Sequence, residues 1–355
     1  MSSPASTDRV PSAPSTLRIV AKARARRARR RRVVTGGLFA AVLVLFAASL
    51  MVGQTFYGPA EVWGVLSGQT VPGASFTVGE LRLPRATVAL LTGFCFGMGG
   101  VVFQTMLRNP LASPDIIGVN SGASAAAVVG IVVLSLDETA VSFLATVAAL
   151  ATALTIYLLA FKDGGASARF ILIGIGVAAI FNSVVSYVIS RAAEWDLQAA
   201  MRWITGNLNG SSWDQAAPLA LAMAVLVPAV LLLARDLELL RLGDETASAL
   251  GVPVERRRVL LIVAAVGLLA FATAAAGPIS FVAFLAGPIA ARLLGPNGSP
   301  VLPAALFGSA LVLAADLVAQ YGLGTRLPVG VVTGVLGAPY LIFLLIRSTR
   351  SGGSL

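Results

Sequence analysis

After residue 33 the chain carries about ten apolar stretches, each roughly 17–24 residues long, the length a helix needs to cross the hydrocarbon core of a bilayer. That pattern constrains the fold more than any other feature. In lipid only helices and closed barrels satisfy their own backbone groups. The composition agrees: 57% of residues are hydrophobic and 12% charged, with a mean hydropathy of +0.87. The expectation is an all-α polytopic membrane protein that moves something across the bilayer.

The expected spans are Val34–Gly53, Pro84–Met106, Asp115–Leu134, Ala140–Phe161, Arg169–Ile189, Ala216–Leu233, Val259–Ala276, Ile279–Leu294, Val301–Gln320 and Val329–Ile346. They divide the chain into a tail (1–32), a membrane domain (33–348) and a short C-terminal tail (349–355). Ten spans place both termini on one side. With that side cytoplasmic, it holds 21 basic residues against 5 outside. Arginine and lysine concentrate on cytoplasmic loops, so this orientation is the expected one.

Ten of the 26 basic residues lie in the tail, which ends Lys22-Ala-Arg-Ala-Arg-Arg-Ala-Arg-Arg-Arg-Arg32. The tail lacks apolar residues for a core and is expected to be disordered or a weak surface helix. Its arginines fix topology and meet anionic membrane lipid; a nucleic-acid partner is not expected.

Helices 2–3 and 7–8 of the ten are interrupted by Pro and Gly, as at Gly277-Pro278 and Gly287-Pro288. Matching interruptions in two halves are compatible with an inverted repeat of helices 2–5 and 7–10. Gly93/Gly97, Gly118/Gly122 and Gly330/Gly334 are spaced to let helices approach closely.

The chain contains no His and one Cys, Cys95, inside a span. Without histidine, naked transition-metal cargo and metal sites are disfavoured. The only lysines, Lys22 and Lys162, do not follow Gly, so no phosphate-binding loop exists. Any ATP and Mg are therefore bound by another subunit, and the chain needs no cofactor of its own. Asp316 is the one acid deep in a span. It could bind a proton in an ion-coupled carrier, or bond a neighbouring helix or an outer arginine.

The cytoplasmic segment 236–258 is the longest polar stretch after the tail. Asp244 suits a helix N-cap, Gly251 a C-terminal stop and Pro253 the first turn of the next helix. A short surface helix, Glu245–Leu250, is expected there.

Several motifs together resemble the permease subunit of type II ABC importers, the group for iron–siderophore, haem and vitamin B12 uptake. They are Leu81-Arg-Leu-Pro-Arg85, Gln104 with Arg108-Asn-Pro-Leu-Ala-Ser-Pro-Asp115, Leu242-Gly-Asp-Glu-Thr-Ala-Ser-Ala-Leu-Gly-Val252, Gly277-Pro-Ile-Ser-Phe281 and Leu327-Pro-Val-Gly330. The resemblance implies a bacterial cytoplasmic-membrane importer with a second permease (identical or paralogous), two ATPase subunits and an extracytoplasmic binding protein. It implies that Leu242, Gly243, Asp244, Glu245, Thr246, Ala247, Leu250 and Gly251 form the helix that seats in the ATPase. It implies that Arg82 and Arg85 meet the binding protein, with Arg326 a third candidate where many members carry Glu. A further family arginine stands here as Gln320. Asn109, Leu111 and Ser167 match inner gates. Asn182, Ser183 and Ser186 match the pathway helix, with helix–helix bonding open as an alternative for Asn182. The Gly287-Pro-Ile-Ala-Ala-Arg292 segment departs from the family's common Val-Pro-His-Ile-Ala-Arg. The implied cargo is a ferric siderophore, with vitamin B12 or haem as the alternative.

Overall fold

A computed structural model describes residues 13–112, 118–160, 167–295, 298–322 and 324–350. Among them are thirteen helices and no strand. They are α1 (Ala13–Met51), α2 (Pro59–Leu66), α3 (Ser75–Met106), α4 (Val119–Val132), α5 (Glu138–Ala160), α6 (Ser167–Ile189), α7 (Glu194–Thr205), α8 (Trp213–Leu240), α9 (Asp244–Ala249), α10 (Val254–Ala276), α11 (Val282–Leu294), α12 (Val301–Gly322) and α13 (Val329–Arg350). Seven are long and apolar enough to cross a membrane, and α4, α11 and α13 are shorter apolar helices. These ten correspond one to one with the expected spans. The short helices α2, α7 and α9 lie between them.

The boundaries differ in three informative places. The basic tail is helical from Ala13 and continuous with the first span, the helical one of the two forms read for it. Ala and Arg are strong helix formers, and a helix extended from an existing span needs no new nucleus. The second span starts nine residues early, at Ser75, through a π-wound turn. The third starts at Val119; the expected start, Asp115, lies outside the described residues.

Helix pairing supports the internal repeat. Helix α3 packs on α10, α11 and α12, while α10 packs on α3, α4 and α5. Helix α4 packs on α5 and α6, and α11 on α12 and α13. Each helix of the first set thus has neighbours matching those of its counterpart in the second. Helices α4 and α11 have 14 and 13 residues. At 1.5 Å per residue each is about 20 Å long, short of the ~30 Å core. Each is preceded by a left-handed residue, Gly118 (φ 89°) and Phe281 (φ 65°).

The tightest seam is α3 against α12. A Cβ on Gly93 would strike the backbone of Gly308 and Ser309, and one on Gly97 the backbone of Ala304. Small residues at this spacing let two backbones touch, and dispersion then holds helices that lipid does not push together. The break at Gly277 is satisfied inside the protein, where the Asn207 amide donates to the Ala276 carbonyl at 2.8 Å.

Candidate functional site

Polar chemistry gathers at the two ends of the bundle. At one end stands α9. Gly243 (φ 112°) precedes it and Gly251 (φ 85°) follows it, both in conformations a side chain would strain. The N-cap is therefore Gly243, not Asp244, which is the first helical residue. Its carboxylate is not spent on capping. It accepts from Arg108 Nη2 at 3.1 Å and from Arg258 Nη2 at 2.6 Å. Likewise Pro253 is the N-cap of α10 instead of lying in its first turn.

One face of α9 is anchored and the other is open. Ala247 is fully buried, while Glu245, Thr246 and Leu250 are exposed, Leu250 at 58%. Leu242, just before the helix, is 60% exposed. Two exposed leucines thus flank the short helix as a small apolar patch.

Arg108 also has positive φ (52°) and opens the turn that follows α3. In that turn the Asn109 amide donates to Gln104 O, and Asn109 Oδ1 accepts from the Leu111 amide at 2.9 Å. Asn109 and Leu111 are partly buried. The structure therefore brings the expected coupling segment and two expected gate residues into one linked unit, α9–Asp244–Arg108–Asn109/Leu111. Arg108 and Asp244 are 136 residues apart, so no local sequence pattern joins these parts. Ser167 is the first residue of α6, and its side chain lies outside the described residues.

At the opposite end Arg82 and Arg85 bond within the protein while Arg326 does not share their contacts. Arg82 is buried. It donates to the carbonyls of Leu50 and Met51, both at 3.0 Å, and of Thr55 at 2.7 Å, and lies over the Tyr57 ring. It caps the C-terminus of α1, whose last carbonyls lack intrahelical partners. Its guanidinium is thus engaged within the protein. Arg85 forms a two-pronged pair with Asp316, Nε to Oδ2 at 2.9 Å and Nη2 to Oδ1 at 2.6 Å, and its Nη1 donates to Asn209 Oδ1 at 2.8 Å. Gln320 Nε2 donates to the same Asn209 oxygen at 3.0 Å. Asp316 thus takes the role of partner to an arginine, one of the two read for it. Arg326 is exposed.

Helix α6 is exposed along most of its length, including Asn182, Ser183 and Ser186. Gly176 has open space beside it. Polar side chains on an open helix at membrane depth must face water or another protein. Two buried polar contacts hold this region from within: Gln104, a motif residue with no role assigned from sequence, donates from Nε2 to Phe284 O at 3.0 Å, and Asn120 accepts from Thr273 Oγ1 at 3.2 Å. A Cβ on Gly287 would strike the Gln104 side chain, so Gln104 as placed packs directly against this glycine of α11.

The sequence model of the FecCD transport family matches residues 41–347. The ferric enterobactin transport system permease protein FepG of Escherichia coli K12 is 41% identical over 314 residues, covering 88% of this chain and 95% of that protein. The cobalamin import system permease protein BtuC of Halobacterium salinarum is 37% identical over 317 residues, covering 88% and 81%. Among solved structures, an inward-facing metal-chelate type ABC transporter superposes with a TM-score of 0.79 at 27% identity, over 88% of this chain and 99% of that one.

Proposed function

The chain belongs to the FecCD transport family, and from that premise we propose that it is the permease through which a ferric siderophore enters the cytoplasm, driven by ATP hydrolysed on separate subunits. The observation that carries the reading is the anchored, exposed helix α9 and its ion-paired link to the Asn109/Leu111 turn. A rigid element transmits displacement; a loose loop dissipates it. In this reading two ATPase subunits serve two permeases, one seated on each α9. Movement of α9 pulls Asp244, Arg108 and then the turn that narrows the inner mouth of the path.

The path runs between the two permeases, beside the open face of α6 with Asn182, Ser183 and Ser186. Both termini are cytoplasmic, as the basic residues favour. The binding protein docks at the opposite end, where Arg326 is exposed. Two facts bear on the cargo. The 41% identical relative is named for ferric enterobactin. The chain has no His, which suits iron already fully wrapped by its chelator. Cobalamin is the second reading, favoured by the 37% identical relative.

The test is uptake into proteoliposomes holding the permease, its ATPase and its binding protein. ATP-dependent uptake of a ferric siderophore, unaffected by excess cobalamin or haem, is expected. Cobalamin uptake, or uptake driven by a proton gradient without ATP, would overturn the reading.

A further inference from the structure

Two contiguous cavities open on the flank of the bundle at the Arg85 end. One, of about 420 Å³, has a mixed lining in which Arg202, Asn207, Ser211, Glu138 and Gln215 supply the polar groups. The other, of about 500 Å³, is an apolar groove between α5 and α8, floored by Phe271, Ala274 and Ala275 of α10. Glu138, Ser142, Gln215, Ala274 and Ala275 border both, so the two form one amphipathic channel. We propose that this channel is a binding site for one phospholipid with an ethanolamine headgroup, drawn from the leaflet at the Arg85 end.

The dimensions fit one leaflet. The apolar groove follows α5 from Glu138 past Phe143 and Val147 to Leu150. Twelve residues of helix span about 18 Å, slightly more than half of a ~30 Å hydrocarbon core. Phe143 is 72% exposed, so the groove is open sideways to lipid. Trp203 lines the first cavity and Trp213 lies half-exposed at the start of α8, the depth at which tryptophan marks the membrane interface.

The charges select the headgroup. Arg202 has no hydrogen-bonded or ion-paired side-chain partner among the described residues and is the cation available to a phosphate. Glu138 and Asp214 supply two carboxylates to an ammonium group. Glu138 is held in place by Gln215, whose Nε2 donates to it at 2.5 Å. Arg202 and one carboxylate match the two charges of a zwitterion, and the second carboxylate leaves the site net negative, which repels a net anionic headgroup. A primary ammonium donates hydrogen bonds to carboxylates, which a quaternary one cannot.

The permease, assembled with its ATPase, is placed in nanodiscs of equal phosphatidylethanolamine, phosphatidylglycerol and phosphatidylcholine, re-extracted in mild detergent and weighed by native mass spectrometry. One retained phosphatidylethanolamine per permease is expected. Glu138→Gln should lower the preference for that headgroup about tenfold, the loss of one charge-assisted bond, while a phospholipid of some kind stays bound. Thr146→Trp, which fills the groove, should abolish retention; Leu150→Trp serves the same purpose if the first variant fails to assemble. Retention of phosphatidylglycerol instead, no retained lipid, or retention undiminished in both groove-filled variants would overturn the proposal. So would dissociation of the permease pair by Thr146→Trp with no lipid lost, since a second permease would then occupy the groove.

Discussion

Removing Asp316 while keeping Arg85 should destabilise the bundle more than removing both. Arg85 and Asp316 join α3 to α12, and their side chains are 20% and 8% exposed. In Asp316→Leu the guanidinium loses both carboxylate bonds in a site with little water, keeping only Asn209. Stranding one member of a buried pair costs about 3–5 kcal/mol. The partial exposure of Arg85 and the tendency of membrane proteins to find substitute partners favour the lower end, about 3 kcal/mol. Arg85→Leu should cost a similar amount by stranding the more deeply buried carboxylate. Replacing both with leucine removes the unpaired charge, so the double variant should cost no more than one single variant. The coupling is then about 3 kcal/mol, at the upper end for residues in contact. Reversible unfolding in mixed detergent micelles, followed by tryptophan emission, measures all four corners of the cycle. Strictly additive single effects would refute the claim that this pair clamps α3 to α12.

Other perturbations separate coupling, docking and insertion. Arg108→Gln should leave ATPase assembly intact but lower uptake per ATP hydrolysed, because the α9-to-gate link is broken; paired ATPase and uptake assays check this. Arg82→Ala should lower thermal stability by about 1–3 kcal/mol through orphaned carbonyls at the end of α1, with little change in binding-protein affinity once folded. Arg326→Glu should slow binding-protein association at low salt, by an amount that shrinks as salt screens it. Neutralising Arg24–Arg32 should reduce the inserted yield, each basic residue near an anionic surface contributing about 1 kcal/mol, while uptake per inserted molecule stays unchanged.

The ten spans were legible because hydrophobic length is a one-dimensional property that needs no knowledge of neighbours. The punctuation of α9 was legible for the same reason, although the cap moved by one residue: Gly243 provides the turn, and Asp244 is thereby freed for Arg108 and Arg258. What stayed hidden was long-range pairing. Arg82 and Arg85 look alike in sequence, yet one caps α1 and the other clamps α12, a difference set by which side of the α3 start each faces. The continuity of residues 13–32 with the first span was obscured by their charge. Arg30 illustrates the cause, donating to the Leu293 carbonyl at 3.1 Å and so tying the extension of α1 to the end of α11.

The most direct test of the account is a cross-link from α9. Cys95, the one native cysteine, is buried, so Leu250→Cys creates a single accessible thiol. A short photoactivatable reagent attached there should join the permease to its ATPase subunit, and ATP should change the yield as the complex cycles. Full ATP-driven uptake by the labelled protein with no adduct to the ATPase would contradict the account.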